Sequence, residues 1–464
     1  MSNNVVLICL DSVRKDSFDE VSSEIASISD YSLSQCRAAS SWSPPSHASM
    51  LTGVLPSVHG VHSGQFYFDA ISDEETFLSD LTSHRVVGAS ANTHASSVFG
   101  FDRYFDDFRD VADGSVFPEA LNVKSAAREF ETHGLELLRD TLAECLGDNY
   151  PLRSIANLVG TRVESVLEHS PLRGYLDNGA TTLSNYALSQ CGDEPVFLFL
   201  NFMECHEPYY LKRYHSSSGR VDESWHSKDV DKWDVTLSDT TPEGYVDSYR
   251  ELYDLELEYL DSVVADLIGR LRSQLNRDTT FIVTADHGQN VGYDAENGLL
   301  GHKASLSEGL LHVPLEIINP PEDLQIESDQ LFSHLDLGRL VTAIATDQKF
   351  EPAFTGECTP AEVLGIGTEV DHVPDQSTSY WDRTIRCVYT RRRKVEWDSC
   401  GQVQEYGISP DALSHQTLVT DDGQIPECAS SVFDVPIEEV TTDHTDFEEM
   451  NDTVRGQLEE LGYL

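Results

Sequence analysis

The stretch VVLICLDS, residues 5–12, decides the fold. Six apolar residues, Val5–Leu10, run without a break and stop at Asp11-Ser12. A strand with one wet face would alternate polar and apolar residues. An unbroken run predicts a strand covered on both faces, as in a parallel sheet. The pattern returns three times. Arg85–Ser90 is followed by Asn92, and Pro195–Met203 by Glu204 and His206. Thr279–Ala285 is followed by Asp286-His287-Gly288. Helical patterns lie between, over Gly179–Gln190 and Tyr245–Leu275. The second carries Leu252, Leu255, Leu260, Val263, Val264, Leu267 and Leu271 on a helical period. This alternation predicts an α/β fold with a large, mostly parallel sheet. In open sheets of this kind ligands bind beyond the carboxyl ends of the strands. Asp11, Asn92, His206, Asp286 and His287 are therefore predicted to meet at one edge.

Composition narrows the partners. The chain has 464 residues, 80 Asp and Glu against 31 Lys and Arg, and a net charge of −49. Only 8 of the basic residues are Lys. The acidity is spread along the chain. It reads as the surface of a halophile protein and disfavours nucleic acid and anionic membranes as partners. Nine cysteines, an odd number without CxxC spacing, argue against a disulfide framework and a zinc–thiolate site. No apolar run reaches membrane-spanning length and no basic-then-apolar leader is visible, which predicts a cytoplasmic protein.

The second informative stretch is SWSPPSHASMLTG, residues 41–53. Two prolines stiffen the backbone after Ser43. A helical pattern follows His47, with Gly53 placed to end it. Ser43 is then either an N-cap or a nucleophile near a helix N-terminus. Asp11, Asp286 and His287 make a mixed oxygen and nitrogen set suited to one divalent ion: Ca²⁺, Mg²⁺, Mn²⁺ or Zn²⁺. A serine oxygen on such an ion becomes a usable nucleophile.

Together these motifs resemble the sulfatase family of the alkaline phosphatase superfamily, in a haloarchaeal-type form. The family signature is Cys or Ser, any residue, Pro, Ser, Arg, then Leu-Thr-Gly. Ser43-Pro44-Pro45-Ser46-His47 and Leu51-Thr52-Gly53 match it in register, with His47 in place of Arg. Asp11 matches the first metal aspartate, with Ser12 where a second is usual. Asp286-His287-Gly288 matches the second metal pair. His206-Glu207-Pro208 and the block Gly301-His302-Lys303 through Val313-Pro314-Leu315 match later motifs.

The resemblance implies an alkaline-phosphatase-like sandwich over residues 1–345, with a helical insertion at about 110–175. A small antiparallel subdomain at 346–430 and an acidic tail at 431–464, helical over Phe447–Leu461, would follow. It implies hydrolysis of a sulfate or phosphate ester, small or glycan-borne, with Ca²⁺ as the family's usual ion. The covalent intermediate would form on Ser43 or its formylglycine derivative. Ser43 would also ligate the metal. His206 would stabilise the oxyanion or protonate the leaving alcohol, His302 and Lys303 would contact the anionic group, and Asn92 and His47 would bind substrate. Arg14 with Asp16, and His59, read as structural. The alternatives are a phosphomonoesterase, phosphodiesterase or phosphotransferase using unmodified Ser43, and an inactive relative that only binds a metal or anion. Loss of the family's Arg at His47 puts conversion to formylglycine in doubt. Residues 212–245 read as a loop.

Overall fold

The structure, a computed structural model, describes residues 3–111, 121, 123, 135–168, 177–215, 221–237, 241–302, 305–354, 358–390, 393–408 and 414–440. Seven strands form the central sheet: β1 (Asn4–Leu10), β2 (Tyr31–Ser32), β3 (Arg85–Ser90), β4 (Asp107–Asp110), β5 (Val196–Phe202), β6 (Thr279–Thr284) and β7 (Leu315–Ile318). Their spatial order is β2-β7-β6-β1-β5-β3-β4. The pairs among β6, β1, β5, β3 and β4 are parallel, and β7 and β2 add an antiparallel edge. Every residue of β1, β5 and β6 is buried, so both faces of the sheet are covered. That is why their sequences are continuous and apolar rather than alternating.

Register places the site. Leu10 pairs with Phe202, and Cys9 with Thr284. Asp11, His206 and Asp286 therefore leave the sheet at one level. The helices Ala180–Ser189 and Tyr245–Gln274 pack on each other, as do Ser43–Thr52 and Leu337–Thr346. Both predicted helices and all four predicted central strands are present.

The helix that carries Ser43 starts earlier than the sequence suggested. It spans Ser43–Thr52 rather than beginning after His47, with Trp42 as N-cap and Gly53 at φ 73° closing it. Pro44 and Pro45 sit in the first turn, where a missing N–H leaves no intrahelical bond unmade. Residues 212–245 are not all loop, since they contain the short helix Lys232–Leu237. Within the predicted insertion, Leu135–Gly147 and Pro151–Glu168 are helical, with a small cluster of Val123, Cys145 and Leu158. The predicted terminal helix at 447–461 lies outside the described residues.

A second, five-stranded antiparallel sheet runs β8 (Thr359–Leu364), β9 (Thr384–Thr390), β10 (Arg393–Asp398), β11 (Val403–Ile408) and β12 (Gln416–Thr420) in order. Pro360 is tolerated because β8 is an edge strand. Val388, Val395, Trp397 and Phe433 of this part share one apolar cluster with Ala39, Leu55 and Leu335. The sheet is thereby packed against the segment that leads into Ser43.

One sequence expectation needs correction. Cys358 and Cys428 form a disulfide, with Cα atoms 6.1 Å apart and 70 residues between them in sequence. No spacing rule signals it, because the sheet brings two distant segments together. The remaining seven cysteines are free thiols. Disulfides are characteristic of oxidising compartments, which weighs against the cytoplasmic expectation. No helix among the described residues is long and apolar enough to cross a membrane.

Candidate active site

The turn after β1 is held in a costly conformation. Ser12 has φ 64°, a left-handed value that a non-glycine residue seldom adopts. Tyr253 fixes it: its hydroxyl donates to the Ser12 carbonyl at 2.8 Å and accepts from the Arg14 N–H at 2.9 Å. The Ser12 hydroxyl donates to Asp11 Oδ1 at 2.9 Å, so it occupies one carboxylate oxygen where the family usually has a second aspartate. Arg14, fully buried, forms the predicted pair with Asp16 at 2.7–2.8 Å and is also paired with Glu296.

The turn after β6 approaches the backbone as closely as glycine allows. Gly288 N–H donates to the Leu310 carbonyl at 2.7 Å. Any Cβ at Gly288 would collide with the Gly309 carbonyl. This packing aims Asp286 and His287 at Asp11. Ser46 of the helix that carries Ser43 donates to the Asp286 carbonyl and ties the two elements together.

Ser43 is completely buried at this junction. Its hydroxyl donates to Asp11 Oδ2 at 3.2 Å and lies 3.2 Å from His287 Nε2. The Asn92 amide donates to Ser43 Oγ at 2.9 Å and to Asp11 Oδ2 at 2.5 Å. Asn92 Oδ1 accepts the His94 N–H at 2.7 Å, and this orients the NH₂ toward Ser43. One ligand atom each from Asp11, Asp286 and His287 lies within 4.8 Å of the others. His287 Nδ1 donates to the Gly288 carbonyl at 2.7 Å, leaving Nε2 as the lone-pair nitrogen facing Ser43.

The electrostatics fit a cation. Burial pushes Asp286 up to about 6, against N–H donation from His287 and Ser12. Burial, and then the Asp286 charge, raise Asp11 as well. Burial depresses His287 to about 4, so it is a neutral ligand at physiological pH. Asp286 Oδ2 is buried without a hydrogen bond. Two like charges and an orphaned oxygen are costly alone, and a divalent ion relieves both. The donor set therefore fits the divalent metal that the motifs imply.

Three imidazoles line the site. His206 and His302 have ring centroids 5.2 Å apart, and His302 and His287 4.9 Å. His206 Nδ1 donates to the Glu207 carbonyl at 2.6 Å. Gln289, which the sequence reading missed, faces His302 Nδ1 through Oε1 at 3.4 Å and donates to Tyr249 OH at 2.7 Å. Lys303 lies outside the described residues. His47, which the sequence offers either as a substrate contact or as packing beneath the Ser43 turn, lies beneath Ser43. It is buried between Phe101 and Phe199, with Nδ1 donating to the Ser43 carbonyl at 2.8 Å and Nε2 3.2 Å from the Asn201 amide. Burial lowers its pKa and keeps it neutral. His59 bonds Ser49 at 3.1 Å and is structural, as expected.

The sequence pointed to a helix N-terminus as part of the anion site. Pro44 and Pro45 remove two of its N–H groups, and Ser46 N–H is already bonded to the Trp42 carbonyl at 3.2 Å. Side chains must supply most of the anion contacts.

Comparison with known proteins gives the family and the fold. The sulfatase family profile matches residues 3–345. No curated protein matches the chain. Among solved structures, the phosphonate monoester hydrolase of Agrobacterium radiobacter is similar with TM-score 0.61 and 15% identity, over 92% of this chain and 93% of that one. The phosphonate monoester hydrolase from Silicibacter pomeroyi gives 0.59 and 12%, over 93% of each chain. A 2-O GAG sulfatase gives 0.54 and 14%, over 88% of this chain and 85% of that one.

Proposed function

From the premise that this chain belongs to the sulfatase family of ester hydrolases, we propose that it cleaves a sulfate or phosphate ester through a covalent intermediate at Ser43. The observation that carries this reading is the convergence of Ser43 Oγ, Asp11, His287 and Asn92 within 2.5–3.2 Å in one buried pocket. A divalent ion on Asp11, Asp286, His287 and Ser43 would supply charge neutralisation and a lowered serine pKa; Ca²⁺ is the family's usual ion.

The chain's own groups do the rest. Ser43 Oγ gives its proton to Asp11 Oδ2, which already accepts from it, and attacks the sulfur or phosphorus atom as the bond to the ester oxygen breaks. Asn92 Nδ2 holds Ser43 Oγ in line before attack and donates to an oxygen of the transferred group afterwards. His206 acts as the imidazolium: its Nδ1–H is committed to the Glu207 carbonyl, and its Nε2–H is given to the leaving oxygen as that oxygen departs. His302 contacts the anionic oxygens, and the family motif assigns Lys303, next to it in sequence, the same role. Water then cleaves a seryl phosphate and regenerates Ser43, whereas on a formylglycine hydrate at this position collapse to the aldehyde expels sulfate.

A second reading keeps Ser43 unmodified and restricts the substrate to phosphate mono- or diesters, or to transfer onto an acceptor alcohol. One observation favours it. His47 occupies the signature's Arg position but is neutral and bonded to the Ser43 carbonyl, not to its hydroxyl. An unmodified serine sulfate lacks the collapse to an aldehyde that a formylglycine hydrate provides. A serine phosphate is open to in-line attack by water.

The test is the mass of the peptide spanning Ser43, on protein from its own organism, paired with turnover of aryl sulfate and aryl phosphate esters. A loss of two hydrogens with sulfate turnover establishes the formylglycine route. An intact serine with phosphate turnover establishes the second. No turnover of either ester would sink the hydrolase reading.

A further inference from the structure

A buried polar node joins the two sheets. Glu308 begins the short helix Glu308–Leu311. Its carboxylate pairs with Arg37 Nη2 at 2.9 Å and accepts from Tyr389 OH at 2.6 Å. Lys394 Nζ is 3.9 Å from the same carboxylate and donates to the Leu306 carbonyl at 2.5 Å. The Arg37 guanidinium lies over the Tyr389 ring at 5.1 Å. Arg37, Glu308, Tyr389 and Lys394 are all at most 1% exposed. Tyr389 and Lys394 come from β9 and β10 of the C-terminal sheet, while Arg37 and Glu308 belong to the sulfatase-like part.

Burying this many charged groups gives little net stability, because desolvation opposes the pairing. It does fix geometry, and the segment it fixes is specific. Residues 306–311 form the wall behind the Asp286–His287–Gly288 turn. Gly288 N–H bonds Leu310 there, and Gly309 presses on Gly288. Ser307 Oγ donates to Asn290 Oδ1 at 2.6 Å just beyond the turn. Ala38 N–H, which leads toward Ser43, donates to the Leu311 carbonyl at 2.8 Å.

We propose that Tyr389 and Lys394 are positioning residues for the metal-binding turn: the C-terminal sheet holds Asp286 and His287 in ligating geometry through Glu308 and Leu306. This rests on the reading of Asp11, Asp286 and His287 as a cation site. Groups bonded directly to a ligand typically change metal affinity by about 10–100-fold, and Tyr389 and Lys394, acting from further back through the 306–311 segment, should fall at the low end. The test is calorimetric titration of Mn²⁺ into full-length wild type, Tyr389→Phe, Lys394→Met and Phe433→Ala. Phe433→Ala loosens the same sheet without touching the node. Kd should rise on the order of tenfold in Tyr389→Phe and Lys394→Met, and stay at the wild-type value in Phe433→Ala. Equal Kd in all four proteins, with only melting temperatures lowered, would overturn the positioning role. So would a rise in Phe433→Ala as large as in Tyr389→Phe. Wild type that takes up no Mn²⁺ would remove the cation site itself, a different failure. If Lys394→Met does not fold, Tyr389→Phe, which loses one oxygen, decides alone.

Discussion

The central and C-terminal sheets are built on opposite principles. In the central sheet each chemical residue follows directly on the strand that delivers it: Asp11 after β1, Asn92 after β3, Asp286 and His287 after β6. In the C-terminal sheet, the residues that matter are buried mid-strand and act on partners far away. Arg386 reaches Glu362 at 2.9 Å and the Val435 carbonyl at 2.6 Å. Glu362 in turn accepts from Ser57 N–H at 2.5 Å, and its carbonyl takes the Ser40 hydroxyl at 2.8 Å, three residues before the nucleophile. On the proposed reading, one region carries the chemistry and the other holds its frame.

Three further measurements bear on that division. Ser43→Ala should produce the largest effect, a loss of at least about 10³-fold in kcat/KM, with a melting temperature near wild type. Activity close to wild type would place the nucleophile elsewhere. Arg386→Met should do the reverse. It leaves Glu362 buried and unpaired, which costs about 3–5 kcal/mol of stability, measurable by urea unfolding. A neutral result would show that the C-terminal frame does not depend on its buried ion pairs.

The third measurement concerns Glu204, just after β5. Burial, reinforced by Asp177, pushes its carboxyl up to about 8. Its Oε1 accepts the Ala180 N–H at 2.8 Å. The native state thus holds a proton that the unfolded chain releases near 4.5. Stability should fall as pH rises through the window from about 4.5 to about 8, with a slope of up to about 1.4 kcal/mol per pH unit from this one group. Glu204→Gln should flatten that slope in melts across the window. An unchanged slope would assign the pH dependence to other carboxyls.

The contrast explains what was legible. Asp11, Asn92 and the Asp286–His287 pair stand out because a buried parallel strand must be apolar, so the polar residue that follows it is conspicuous, while Ser43 stands out by the signature around it. The start of the helix that carries Ser43 was misplaced because two prolines look like a turn, although the first helical turn accepts them. Gln289, Tyr253 and Glu296 left no local signal. Their partners are His302, the Ser12–Arg14 turn and Arg14, and only the fold brings them near. In the C-terminal sheet, β9, β10 and β11 read plainly, as strand-like runs over 384–390, 391–397 and 403–408. β8 hides behind Pro360, and β12 is mostly exposed and lacks an apolar face. Cys358 and Cys428 were invisible for the same reason as Arg386 and Glu362, their distance along the chain.

The sulfur inventory also dictates how the protein must be handled. Cys9, Cys36, Cys145, Cys205 and Cys387 are buried, and desolvation raises the pKa of each thiol. Thiols of that kind are poor nucleophiles and oxidise slowly. Cys400, on the turn after β10, is the one exposed thiol. Stored in air, the protein should accumulate covalent pairs of chains joined at Cys400. A strong reductant added to prevent this would also open Cys358–Cys428. Replacing Cys400 with serine removes the need to choose.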